Sequence, residues 1–204
     1  TLSRFRLSDY GYRVRIGAYV WNRDKRPKFD SLQDAKRGKA HTAMPLMWSR
    51  DIVPGGTVRL EDTSAYDGEH RFVDLGDKKH SSVVTSPCVV MQRVTSNDQP
   101  RRLVAAAVSP GVFETYGGFI GENHVVILEA LTDKPALPPT KMAKLLSAHA
   151  IDRYFRCISG ATNVSAFELN QLALPDPQAV RKAATNGRTM DEAVRVAFGL
   201  VFDE

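Results

Sequence analysis

The spacing of apolar residues changes about two thirds of the way along the chain. Before that point the apolar segments are short and strand-like. Val14 to Trp21 roughly alternates and is rich in β-branched and aromatic residues, which predicts a strand. Asn22 to Lys39 is polar and rich in Lys and Arg, so it reads as a long excursion. Ala43 to Ile52 is a second apolar segment. Its Pro45 has no N–H for a ladder and argues for a sheet edge or a strand start. Pro54-Gly55-Gly56 marks a turn, and Asp62 to Gly76 is polar and turn-rich. Ser81 to Val94 holds Val83, Val84, Val89, Val90, Met91 and Val94 around Pro87, which reads as one or two strands. Leu103 to Val108 and Val125 to Leu128 read as short buried strands, separated by Tyr116-Gly117-Gly118-Phe119.

The last third has helical periodicity. Met142, Leu145, Leu146, His149, Ile151, Tyr154, Phe155 and Ile158 predict one helix with Thr140 as its N-cap, stopped by Ser159-Gly160. Ser165-Ala166-Phe167-Glu168 and Thr189-Met190-Asp191-Glu192 are capping-box patterns. The first opens a short helix to Leu172 and the second a last helix to about Val201. Pro177 suits the first turn of a helix between them. Thr132 to Thr140, with three prolines, joins the two halves. The expected fold class is α+β (mixed α/β): a twisted, mostly antiparallel or mixed sheet in the first two thirds and helices in the last. A main domain is expected over 1–178, with a C-terminal helical extension over 179–204.

Composition narrows the function classes. A chain of 204 residues, 43% hydrophobic and 25% charged, is that of an ordinary globular domain. It has no apolar run of the ~18 residues that a transmembrane helix requires. Cys88 and Cys157 are too few for a disulfide scaffold or a four-cysteine zinc site, and Cys157 is expected in the core. The chain begins at Thr1 with no signal-peptide pattern, so it reads as a piece of a longer intracellular protein. The net charge of +5 is unevenly spread: residues 1–102 carry 19 basic against 12 acidic residues, a net of +7, whereas residues 103–204 carry 9 against 11. One-sided basic loading suits a surface that tracks phosphates, and equally a solvated basic face with no partner.

Catalytic chemistry is sparse. There is no G-x-G-x-x-G, no phosphate loop, no G-x-S-x-G and no H-E-x-x-H. Asp67, Asp77 and Lys79 could form a weak metal-nuclease pattern, or simply solvated charge in a polar loop. Val20-Trp21-Asn22-Arg23 and Met47-Trp48-Ser49-Arg50 share an ending in which a tryptophan could anchor a loop that presents Asn or Arg. These are the side chains that read adenine and guanine edges. Two core tryptophans with surface arginines would give the same pattern. Glu122-Asn123-His124 could cap a turn or face a ligand.

Several stretches taken together resemble the C-terminal target-recognition region of N6-adenine DNA methyltransferases of restriction-modification systems. They are Val20-Trp21-Asn22-Arg23, Pro45-Leu46-Met47-Trp48, Gln92-Arg93-Val94-Thr95-Ser96, Arg101-Arg102-Leu103-Val104-Ala105-Ala106, Gly121-Glu122-Asn123-His124, and a closing block from Tyr154-Phe155-Arg156 through Ser159-Gly160-Ala161-Thr162-Asn163 to Leu174-Pro175. The closing block is similar also to recognition domains of type I restriction specificity subunits. The resemblance runs from about Tyr10 to Pro177. It departs at Asn97-Asp98, where Lys and Glu are expected, and at Arg15-Ile16, where a Ser-Thr pair is expected.

The resemblance implies a cytoplasmic bacterial or archaeal protein that binds double-stranded DNA, in which an N-terminal domain binds S-adenosylmethionine and carries an Asn/Asp-Pro-Pro-Tyr/Phe motif. This chain has only Leu137-Pro138-Pro139-Thr140, so the catalytic domain lies outside it and no catalytic, cofactor or metal residue is assigned here. Lys25, Arg26, Lys78, Lys79, Arg101 and Arg102 are then expected to position phosphates. Asn22, Arg23, Arg50 and Asn163 are expected to read bases, and Arg93 to contact DNA. Arg101 could instead pin the sheet to the helices, and Asn123 and His124 could be buried hydrogen-bonding groups. A monomer is expected, with DNA and the catalytic domain as partners. A type I specificity module and a metal-dependent nuclease fragment are the alternatives.

Overall fold

The computed structural model describes residues 4–60, 68–77, 80–96, 98–185 and 187–200. It is an α+β fold built from two five-stranded sheets and seven α-helices. The first sheet orders β1 (Tyr12–Ile16), β10 (Val125–Ala130), β7 (Cys88–Gln92), β8 (Ala105–Val108) and β4 (Thr57–Val58), antiparallel except for the β8–β4 pair. The second orders β2 (Lys28–Phe29), β5 (Phe72–Asp74), β3 (Ala43–Met47), β9 (Phe119–Gly121) and β6 (Val83–Val84), with only β3–β9 parallel.

Strand alternation sorts the core into layers. Val89, Met91, Ala105, Ala107, Val126 and Leu128 face the helices. Their neighbours Cys88, Val90, Ala106, Val108, Val125 and Ile127 face the second sheet and meet Met47, Phe72, Val84 and Phe119. Met44, Leu46, Val73 and Ile120 form a third cluster on the far face of that sheet, where Tyr19 covers them. The molecule is therefore a stack of helices, first sheet and second sheet.

Several sequence expectations need correction. The strand from Val14 stops at Ile16, and Tyr19 makes an isolated parallel bridge to Glu122 instead. Pro45 sits in a central strand, not at an edge. Leu46 N–H donates to the carbonyl of Arg71, the residue before β5, so the missing N–H at Pro45 points toward β9, whose ladder begins only at Leu46. Val83–Val84 and Cys88–Gln92 are two strands in different sheets. The polar stretches hide β2, β5 and the short helix α1 (Leu32–Arg37), and a second short helix, α2 (Pro110–Tyr116), precedes Gly117-Gly118.

The single helix expected after Thr140 is two, α3 (Pro139–Leu146) and α4 (His149–Ile158), broken at Ser147-Ala148. Pro138 stands at the N-cap of α3, where a missing N–H costs nothing. Both capping boxes form, opening α5 (Ala166–Gln171) and α7 (Met190–Ala197). Helix α6 (Pro177–Ala184) begins at Pro177 and spans the boundary expected at residue 178. Val180 and Val194 belong to the main core, so the C-terminal helices are part of it and not an appendage. Cys157, expected in the core, is exposed. Among the described residues no helix is long and apolar enough to cross a membrane.

One buried carboxylate joins the helices to the first sheet. Asp152 on α4 accepts hydrogen bonds from the N–H groups of Arg102 (2.6 Å) and Leu103 (2.7 Å), and from Arg156 Nε (3.0 Å). Replacing it leaves buried donors without an acceptor, each costing about 1–3 kcal/mol. Asp152→Ala is expected to lower the unfolding free energy by about 3 kcal/mol, with Asp152→Asn recovering part of the loss because its amide oxygen still accepts. Urea unfolding of both variants measures this.

Candidate nucleic-acid interface

Strands of both sheets end at one edge of the molecule because two of them cross between sheets there. After β1 the chain leaves the first sheet at Gly17, and after β9 it leaves the second at Gly121. A side chain at Gly17 would run into the carbonyls of Gly121 and Glu122, so the crossing admits only glycine there. Backbone bonds lock it: Tyr19 N–H to Gly121 O (3.1 Å), Asn123 N–H to Tyr19 O (2.8 Å) and Glu122 N–H to Met47 O (3.0 Å). The chain beyond Tyr19, the chain beyond Met47 and the Glu122-Asn123-His124 turn thereby become neighbours.

The end of β7 completes this rim. Gln92 Nε2 donates to Ser49 O (3.0 Å) and Ile52 O (3.2 Å), and Arg93 Nη1 donates to Asn123 O (3.0 Å). Val94 bridges Asn163, and Val164 N–H donates to Arg93 O (2.7 Å), which brings in the loop after α4. Asn22, Arg23, Lys25, Arg50, Arg93 and Asn163, scattered over 142 positions of the sequence, therefore share one rim. All are exposed except Arg93, which is half-buried.

The two tryptophan endings meet at His70. Trp48 Nε1 donates to His70 O (2.9 Å), and the Trp21 ring lies 6.4 Å from the His70 ring. Trp21 is 46% exposed, so it is not a core residue. Arg50 stacks its guanidinium 5.2 Å over the Trp48 ring and donates from Nη2 to Glu69 O (3.0 Å).

Three of the rim's acids are already paired, while the exposed Asp30 and Glu69 carboxylates lie 3.8 and 3.7 Å from the His70 ring nitrogens. Asp24 takes a fork of hydrogen bonds from Arg26, the shortest 2.6 Å. Asp51 pairs with Arg71 at 2.6 Å, and the buried Glu122 carboxylate accepts from the N–H (2.8 Å) and Nδ1 (2.9 Å) of His124. Among the described residues no carboxylate lies within ion-pair distance of Arg23, Lys25, Arg50 or Arg93. The rim therefore presents cations, amides and aromatic faces, with the Asp30 and Glu69 carboxylates beside His70.

Other expected contacts lie elsewhere. Arg26 is folded back on Asp24 and over the Tyr19 ring (5.5 Å), where it closes its own loop. Burial pushes the Tyr19 phenol up to about 12, Asp24 adding to the rise and Arg26 opposing it. Arg102, expected to position phosphates, is buried at 6% exposure and donates to Thr95 Oγ1 (3.1 Å), so it is an internal brace. Arg101 donates to Ser147 O at the C-terminal end of α3 and lies 3.0 Å from His149 Nε2, so it joins sheet to helices without an acid. Arg13 and Arg15 are both turned onto Glu129. Lys78 and Lys79 lie outside the described residues, as does Asp67, while Asp77 sits 3.1 Å from His41.

His70 was not legible as a site residue. Nothing in sequence marks its left-handed backbone (φ 56°) or its place between the tryptophans. His124 is half open at 48% side-chain exposure, held in orientation by Glu122. Pro138-Pro139 opens α3, with Pro138 at its N-cap. No protein-family model matches the chain, and no curated protein matches it significantly.

The Asp24–Arg26 fork supplies a titration test. Hydrogen bonding from Arg26 holds the Asp24 carboxyl below its usual range against the opposing effect of burial. A carboxyl depressed in the folded state adds stability above the ordinary value, about 3.9, that is lost as pH falls below it. The NMR titration midpoint of Asp24 is expected below that of a free aspartate, and Arg26→Ala is expected to raise it.

Proposed function

We propose that this chain is the sequence-reading domain of an S-adenosylmethionine-dependent N6-adenine DNA methyltransferase of a restriction-modification system, acting on duplex DNA in a bacterial or archaeal cytoplasm. The observation that carries this reading is the strand-end rim. It gathers Asn22, Arg23, Lys25, Arg50, Arg93 and Asn163, with no acid within ion-pair distance of its four cations among the described residues. The motif resemblance, which includes the Glu122-Asn123-His124 turn at the centre of that rim, supports it as well.

The division of labour follows from DNA geometry. Adenine N6 is stacked inside the duplex and must rotate out before it can be methylated. The methyl group comes from S-adenosylmethionine in the domain outside this chain. The residues here fix register and orientation. Lys25 acts as a phosphate contact, while Asn22, Arg23, Arg50 and Asn163 offer the donors and acceptors that distinguish base edges.

The test is modification mapping. The parent gene, expressed in a host free of DNA methylation, should produce N6-methyladenine at one short motif, and exchanging residues 20–60 should move that motif. Absence of N6-methyladenine would remove the reading. In binding assays Arg23→Ala is expected to narrow the preference for the cognate duplex by about 1–3 kcal/mol. Lys25→Ala is expected to weaken all sequences alike and to flatten the salt dependence by about one unit.

A further inference from the structure

Trp21 and His70 are poorly explained by folding. Trp21 is 46% exposed and belongs to none of the core clusters. His70 holds a left-handed backbone, φ 56°, that a side-chain-bearing residue rarely adopts. Two side chains hold it there: Asp30 Oδ1 accepts its N–H (2.8 Å) and Trp48 Nε1 donates to its carbonyl (2.9 Å). The imidazole is thereby fixed 6.4 Å from the Trp21 ring, tilted by 32°. On the same base Trp48 carries the Arg50 guanidinium stacked at 5.2 Å. Backbone strain maintained by dedicated hydrogen bonds, beside an open aromatic face, points from geometry to a ligand.

We infer that Trp21, supported by His70, is a stacking platform for a nucleobase that has lost its stacking partner in the bound DNA. An indole face accepts any base, because every base has a π-face. Bases inside an intact duplex have both faces covered, so the platform discriminates for unstacked ones. Extruding an adenine creates such bases beside the vacated position. The inference rests on the DNA-binding reading above and deepens it.

The experiment uses the 204-residue chain, whose only tryptophans are Trp21 and Trp48. Its emission is followed while it is titrated at low salt with a fully paired short duplex, the same duplex carrying one unpaired adenine, and the isolated strand. The unpaired-adenine duplex is expected to bind roughly tenfold tighter than the paired one and to quench emission. Trp21→Ala should abolish both the preference and the quench while leaving thermal unfolding nearly unchanged. His70→Gly, which removes the imidazole and relieves the φ strain, should keep the fold and reduce the preference.

Salt-sensitive binding of the paired duplex, with equal affinity for the unpaired-adenine duplex or with a preference that survives Trp21→Ala, overturns the platform and leaves the recognition reading standing. Binding only to the strand or the unpaired adenine supports the platform and overturns duplex recognition. Failure to bind any of the three overturns both. Where the platform holds, an isolated strand weaker than the unpaired-adenine duplex identifies the base as one presented by distorted duplex; equal affinity identifies it as one from single-stranded DNA.

Discussion

The close crossing at Gly17 and Gly121 is the constraint from which the rest follows. Two chain segments change sheets there, with no room for a Cβ at Gly17, and their backbones are hydrogen-bonded through Tyr19, Asn123 and Glu122. Each segment emerges beside the end of β3. Without that crossing the two tryptophan loops would project from separate sheets. With it, six polar residues from four regions of the sequence are held on one edge, in turns and loops that leave the ends of strands.

Buried carboxylates fix the surroundings of this edge. Asp152 holds the chain entering β8 and ties it to α4. Asp74 accepts backbone N–H groups from His41, Thr42 and Gly76, which outweigh the upward effect of its own burial and keep it ionised below the usual range. Asp51 and Glu122 hold Arg71 and His124. Each charge is satisfied by several donors, which is the condition under which burying it is tolerable. Because these acids are committed inward, the cations left on the rim are not cancelled by them.

Much of the fold was legible because its signals are local. Ser165 and Glu168, Thr189 and Glu192, and Pro177 act through hydrogen bonds or fixed dihedrals within one helical turn. The α+β class followed from the switch in periodicity. Pro45 misled because its cost depends on which side its missing N–H faces, and that is decided by β9, far away in sequence. The break at Ser147 escaped notice because apolar spacing runs through it; Ser147 is drawn toward Gly55 and Ala105, both distant. For the rim, residue type singled out Asn22, Arg23 and Arg50, which the structure leaves exposed. Arg26 and Arg102 could not be told from them, since pairing with Asp24 or burial near Thr95 is a property of three-dimensional neighbours. His70 gave no signal, because a dihedral angle leaves no mark in composition.

The register of the outermost strand carries a consequence for how the molecule is made. Tyr12 pairs with Ala130 and Ile16 with Val126. During synthesis β1 has no strand to join until β10, whose Val126–Ala130 pair with it, has left the ribosome. The bridge between Tyr19 and Glu122 waits with it. Contacts of such sequence separation form slowly, because a long loop must close before they return any free energy. The edge that gathers the tryptophans is thus among the last parts of this fold to be assembled, and a chain released early would carry the basic residues 1–102 without the crossing that brings them to one edge.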